Sequence, residues 1–162
     1  MAKIEAKLKK LGLVLPAQLQ TPPGMKALPF SFLRITGKHV YISGHVPQAP
    51  DGAFAQPIGK LGKELTVEQG YEAAKLVGLS MLASLKRELG DLDRVTKWLK
   101  VFGMVNCAPG FTKTPHVING ISELLVELYG PEVGLHARSA VGMAELPFNI
   151  PVEIEAEVEI DG

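Results

Sequence analysis

One arginine and a row of glutamates near the C-terminus offer the most chemistry in this 162-residue chain. Arg138 stands in the stretch His136-Ala137-Arg138-Ser139-Ala140-Val141-Gly142-Met143. If that stretch is extended, Arg138, Ala140 and Gly142 share one face, because side chains on a strand alternate. A planar guanidinium beside small side chains has room to take a carboxylate through two parallel N–H bonds. Beyond Leu146-Pro147, the segment Val152 to Ile160 alternates without a break: Glu153, Glu155, Glu157 and Glu159 point one way, and Val152, Ile154, Ala156, Val158 and Ile160 the other. A carboxylate near a bound substrate can orient and deprotonate a water. The same residues also allow a purely structural pattern, in which Arg138 pairs with a glutamate of the last strand and the remaining glutamates form a solvated acidic row.

The elements that must position these groups are legible in outline. Met1 to Lys10 reads as a short amphipathic helix with Ile4, Leu8 and Leu11 on its apolar side, followed by a proline- and glycine-rich arm from Pro16 to Pro29. Phe30 to Ile35 alternates as a first strand, Gly37-Lys38 turns, and His39 to Ser43 returns as a second. Thr66 stands three before Gln69, a capping-box spacing, and apolar residues from Val67 to Leu89 recur at helical intervals up to Gly90. Val95 to Asn106 reads as a strand, and a second helix opens with Thr114 as N-cap and Pro115 in the first turn, ending at Gly130-Pro131. The final two stretches read as a hairpin turned over Leu146 to Pro151. The order predicts an α+β fold with two helices covering one face of a mixed sheet. The face they leave open would carry Arg138 with Glu153, Glu155 and Glu157. It is too polar for a core and too organised for bare solvent, and a subunit interface containing polar pockets accounts for both properties.

The C-terminal run of Arg-Ser-x-Val, Leu-Pro and alternating Val-Glu-Ile-Glu resembles the signature of the YjgF/Rid family, and Ile42-Ser43-Gly44-His45-Val46-Pro47 resembles that family's Ser-Gly-x-x-Pro block. The likeness runs in order from about Phe30 to Ile160. It implies a chorismate-mutase-like homotrimer in which three sheets form a central barrel with ligand pockets between subunits. The active members of the family hydrolyse reactive enamines and imines. By resemblance Arg138 holds the substrate carboxylate and Glu153 the attacking water, while the backbone of Ala140, where relatives often have cysteine, touches the ligand. Ser43 and Gly44 line the same pocket, with a plain strand end as the alternative reading. Asn119 on the second helix edges it, or is a helix-surface amide. Phe30 falls where active relatives often carry a tyrosine that closes over the substrate, so the aromatic wall is kept and the hydroxyl lost. The segment before Pro29 is longer than in the compact members of the family.

Composition narrows the remaining classes. Seventeen basic and seventeen acidic residues cancel, so the chain lacks the basic footprint of a nucleic-acid binder. A single cysteine, Cys107, allows no intrachain disulfide and suits a reducing, cytoplasmic setting. No apolar run reaches membrane-spanning length, and Leu11 to Leu15, interrupted by Pro16, is too short for a signal peptide. His39, His45, His116 and His136 have no mutual metal-ligand spacing, and no phosphate loop, dinucleotide fingerprint or nucleophile elbow is present. The expectation is therefore one domain over residues 1–162, with 1–29 as helix and arm. By the family resemblance it binds a small carboxylate-bearing substrate without metal or organic cofactor, nucleic acid or membrane, and converts an enamine or imine to a 2-oxo acid and ammonia. A non-catalytic carboxylate binder is the main rival, and the ribonuclease or translation-inhibitor activity attributed to some relatives is the other.

Overall fold

The expected capping box forms at the longest helix. In a computed structural model describing residues 3–20 and 28–162, helix α2 (Val67–Leu89) starts where the Thr66 hydroxyl accepts from the Gln69 amide and the Gln69 side chain accepts from the Thr66 amide. It ends at Gly90, whose φ of 79° is the left-handed conformation that glycine adopts without penalty. The N-terminal helix α1 spans Lys3–Lys10 and buries Ile4 and Leu8, whereas Leu11 lies beyond its end and stays exposed. Its first turn is capped from a distance: the Asp93 carboxylate accepts from the amides of Lys3 and Ile4 at 2.7 and 2.9 Å, a favourable place for negative charge.

Helix α3 (Thr114–Tyr129) has Pro115 in its first turn, as its sequence implies, but Thr114 is not its N-cap. Lys113 takes that position and caps nothing with its side chain. The Thr114 hydroxyl is used elsewhere, donating to the carbonyl of Ala140 at 3.0 Å. A four-residue helix, α4 (Pro131–Gly134), follows directly.

Five strands form one mixed sheet: β1 (Leu33–Thr36), β2 (His39–His45), β3 (Val95–Asn106), β4 (Ala137–Met143) and β5 (Val152–Ile160), in the order β1-β2-β5-β3-β4. The first strand begins three residues later than its alternation suggests, and the second runs two residues further. The expected hairpin of β4 with β5 does not form. Strand β3 lies between them, parallel to β4 and antiparallel to β5. Helix α3 supplies the crossover that a parallel β3–β4 pair requires. The stretch expected to turn that hairpin instead contains a short 3-10 turn (Pro147–Asn149) that reaches past the end of β3. Buried Asn106 secures it, its side-chain amide donating to Asn149 Oδ1 and the Ile150 carbonyl, both at 3.1 Å.

The apolar residues of β5 and Val101, Gly103 and Val105 of β3 face α2 and α3, and with them form the main core. Register then assigns every face. Arg138 aligns with Val101 and Val101 with Ala156, so Arg138 lies on the helix-covered side of the edge strand β4. It does not share the open face with the glutamates, as the hairpin arrangement would require. The open face carries Glu153, Glu155 and Glu157 beside Lys100, Phe102, Met104, Ser139 and Val141.

The two main helices meet where Gly120 of α3 passes the backbone of α2. A Cβ built there would overlap the Tyr71 carbonyl oxygen and sit 2.9 Å from its carbon. Neither atom can rotate away, so Gly120→Ala should destabilise by about 1–3 kcal/mol or more, as overpacking does. Urea unfolding with an unchanged midpoint would refute this account of the helix crossing.

Candidate active site

The first half of the site is built on β4 and α3. Asn119 and Ser122 are three apart and therefore share a helix face. Both accept from Nη1 of Arg138, at 2.8 and 3.2 Å. His136 lies against Ser122, with Nε2 at 3.0 Å from the hydroxyl and Nδ1 at 2.8 Å from the Gly134 carbonyl. Burial lowers the His136 pKa below 6.5; the Gly134 carbonyl opposes this and the Arg138 charge adds to it. Ala140 lies two residues further along β4, partly buried, its carbonyl held by Thr114. Among the described residues no carboxylate lies within ion-pair distance of Arg138. The structural pairing with a last-strand glutamate is not made, because β3 separates the two strands and the side chains point to opposite faces.

The second half lies across the sheet, where β2 meets β5. Pairing jumps from Ile42↔Ala156 to His45↔Ile154, so Ser43 and Gly44 together oppose Glu155 alone. This is a β-bulge, a device that redirects side chains and often stands beside functional sites. It leaves space that Glu153 fills: a Cβ on Gly44 would overlap Oε1 of Glu153 and lie 3.0 Å from its Cδ. Burial, and then the neighbouring charge of Glu155, raises the pKa of Glu153 above 4.5. The Ser43 hydroxyl donates to the Ser31 carbonyl at 2.7 Å, so it is occupied in fixing the segment that carries Phe30. Phe30 is 53 % exposed and meets Phe32 edge-on at 5.7 Å; Phe32 in turn lies 5.3 Å from His45. Phe30, Phe32, Gly44 and His45 border a cavity of about 850 Å³ that reaches Ser84 and Arg87 on α2.

Sequence reasoning missed the polar groups behind these residues. His45 is buried, its Nε2 2.8 Å from the Ser84 hydroxyl, whose oxygen accepts from Arg87 at 3.1 Å. Burial pushes the pKa of His45 down to about 4. Ser84 and Arg87 sit on a long helix with no motif to mark them. Ser122 carried one usable signal, its position three residues after Asn119. Thus the structure brings Arg138 together with Asn119 and places Ala140 on the same strand. It brings Glu153 together with Gly44 at the Ser43 bulge, with Phe30 on the adjoining segment. Within one chain it does not bring the two sets together.

The model of the family described as "YjgF/chorismate mutase-like, putative endoribonuclease" matches residues 6–155. The chain belongs to that family. Among curated proteins, Protein TCP17 of Trypanosoma cruzi is 38% identical over 159 residues, covering 98% of this chain and 95% of that protein. Among solved structures, Atu1372 of Agrobacterium tumefaciens, a protein of unknown function, is 39% identical with a TM-score of 0.85, covering 98% of this chain and 94% of that one. A Shewanella oneidensis structure carrying the same endoribonuclease description is 28% identical with a TM-score of 0.87, covering 98% and 99%. Such coverage takes in the N-terminal helix, so the likeness to these relatives extends over that segment as well. No described helix is long and apolar enough to cross a membrane.

Proposed function

We propose that this YjgF-family protein hydrolyses small enamines or imines derived from amino acids, giving a 2-oxo acid and ammonia, in a cytoplasmic homotrimer whose pockets lie between subunits. The observation that carries the reading is the state of Arg138: a guanidinium fixed by neutral acceptors, with no carboxylate of the described chain to spend its charge on. An arginine so held is a preformed anchor for a small carboxylate. Glu153, half-buried and with a raised pKa, suits a group that takes a proton from water during reaction.

In the proposed sequence Arg138 holds the substrate carboxylate. Glu153 accepts a proton as water adds to the carbon of the N-protonated imine, forming a neutral carbinolamine. Glu153 returns that proton to the amino group, and as the C–N bond breaks it takes the proton of the hydroxyl, so the carbonyl forms and ammonia leaves. The Ala140 backbone steadies the water or the imine nitrogen, and Phe30, Ser43 and Gly44 wall the pocket. Asn119 acts through Arg138. No metal is required in this scheme, because the imine carbon is already electrophilic.

The two half-sites lie on opposite sides of one sheet, so a pocket uniting them needs a second copy. Two further observations support such assembly. The open face mixes Phe102, Met104 and exposed Val141 and Tyr41 with its charges, and among the described residues β4 presents an unpaired edge of the kind proteins seldom leave uncovered. Light scattering should report three copies at micromolar concentration, and a monomer there would remove the pocket. The enzymatic reading is tested by assaying freshly generated 2-aminoacrylate beside an Arg138→Ala control, with an RNA-cleavage arm to address the name some relatives carry. Loss of the tyrosine hydroxyl at Phe30 favours the binder as second reading; it wins if carboxylates bind and no imine is hydrolysed faster than in buffer.

A further inference from the structure

The bonds behind Arg138 fix every proton along a short relay, and the relay determines which edge of the guanidinium meets a ligand. The Gly134 carbonyl can only accept, so His136 carries its proton on Nδ1. Burial, with the Arg138 charge behind it, keeps the ring neutral at pH 7, which leaves Nε2 a bare acceptor. The Ser122 hydroxyl must then donate to Nε2 and turn a lone pair toward Arg138. Together with Asn119 Oδ1 this occupies both hydrogens of Nη1. No described residue accepts from Nη2 or Nε.

We infer that Ser122 and His136 are positioning residues for the carboxylate anchor, holding Arg138 so that it captures a carboxylate side-on, through Nε and Nη2. The inference rests on the reading of Arg138 as that anchor. Neutral acceptors orient the fork without cancelling its charge, which a carboxylate in their place would do. A chain of three oriented hydrogen bonds ending on a backbone carbonyl also limits rotation about the last bonds of the arginine. The ligand therefore meets a guanidinium that loses little freedom on binding.

The test combines titration calorimetry with 2-oxobutyrate and nitrogen-15 NMR of the side chains. Long-range spectra should show His136 protonated on Nδ1 and bare on Nε2, and Arg138 should give a sharp Nε–H signal. Ser122→Ala should weaken 2-oxobutyrate binding about three- to tenfold, the worth of one such hydrogen bond, and broaden the Arg138 signal without lowering the melting temperature. Ser122→Thr should restore both. His136→Phe, which keeps a ring and removes the acceptor, should match Ser122→Ala, and the double variant should be no worse than either, since both interrupt one chain. Additive losses, an Nε2-protonated ring, or Ser122→Ala binding as tightly as wild type would overturn the relay. Wild-type protein that binds no carboxylate would sink the proposed function instead, and the ring tautomer with the Arg138 signal would still decide the relay.

Discussion

Glu153→Gln should slow imine hydrolysis by on the order of 10²–10⁴-fold, the usual worth of general-base assistance, while 2-oxobutyrate affinity stays within about twofold of wild type. The amide keeps the size and the contact with Gly44 but cannot take a proton. Because burial, and then Glu155, raises the pKa of Glu153, the acid limb of the rate profile should lie above the ordinary carboxylate value of 4.5, with the rate rising as the group ionises. The same shift has a signature in stability. A carboxyl whose pKa is raised by folding contributes stability below its unfolded pKa and loses it as pH rises through the folded one. The uncharged glutamine avoids that loss, so the variant should melt higher than wild type near pH 7, and the gap should close below pH 4.5. Gly44→Ala probes the same carboxylate without removing it: the added methyl meets the end of a flexible side chain, so the fold should hold while the carboxylate is displaced and the rate falls. Wild-type turnover in Glu153→Gln would move the base to the surroundings of Ala140 and Ser43.

Arg138→Ala should damage binding and turnover together, because the anchor serves ground state and transition state alike. Truncating one member of a hydrogen-bonded charge pair costs about 2–4 kcal/mol, roughly thirty- to a thousandfold in affinity. Arg138→Lys should recover little of this, since an ammonium offers charge without the two-pronged fork. The side chain makes no ion pair among the described residues and donates only to the half-buried Asn119 and Ser122, so its removal should lower the melting temperature only slightly. Calorimetry with 2-oxobutyrate and benzoate measures the affinities. Crystals soaked in either compound that showed Arg138 locked to Glu155 or Glu157 of another copy, with no ligand density, would return this arginine to a structural role.

Several elements were legible because their signals are local. The capping box at Thr66 and Gln69, the stop at Gly90 and the limits of β3 each depend on residues within a few positions of one another, where backbone chemistry decides. Alternation along β5 likewise identified the buried set from Val152 to Ile160. Alternation says which side chains share a face and nothing about which strand lies alongside. That is why β4 and β5, adjacent in sequence and joined by a proline-bounded segment, were expected as partners while β3 in fact lies between them. The same gap misplaced Thr114, whose hydroxyl finds a carbonyl on β4 that only the folded chain brings near.

For the candidate site the division is the same. The sequence by itself determined the family, the α+β pattern and the residues proposed for the site, since Arg138, Glu153 and the Ser43-Gly44 block sit in contiguous motifs. Only the tertiary structure decided the rest: that Arg138 lies on the helix side of an edge strand with Asn119, Ser122 and His136 behind it, while Glu153 nests over Gly44 on the other face. Those placements depend on sheet order and register, which are fixed by how helices and strands pack at long range rather than by any run of neighbouring residues.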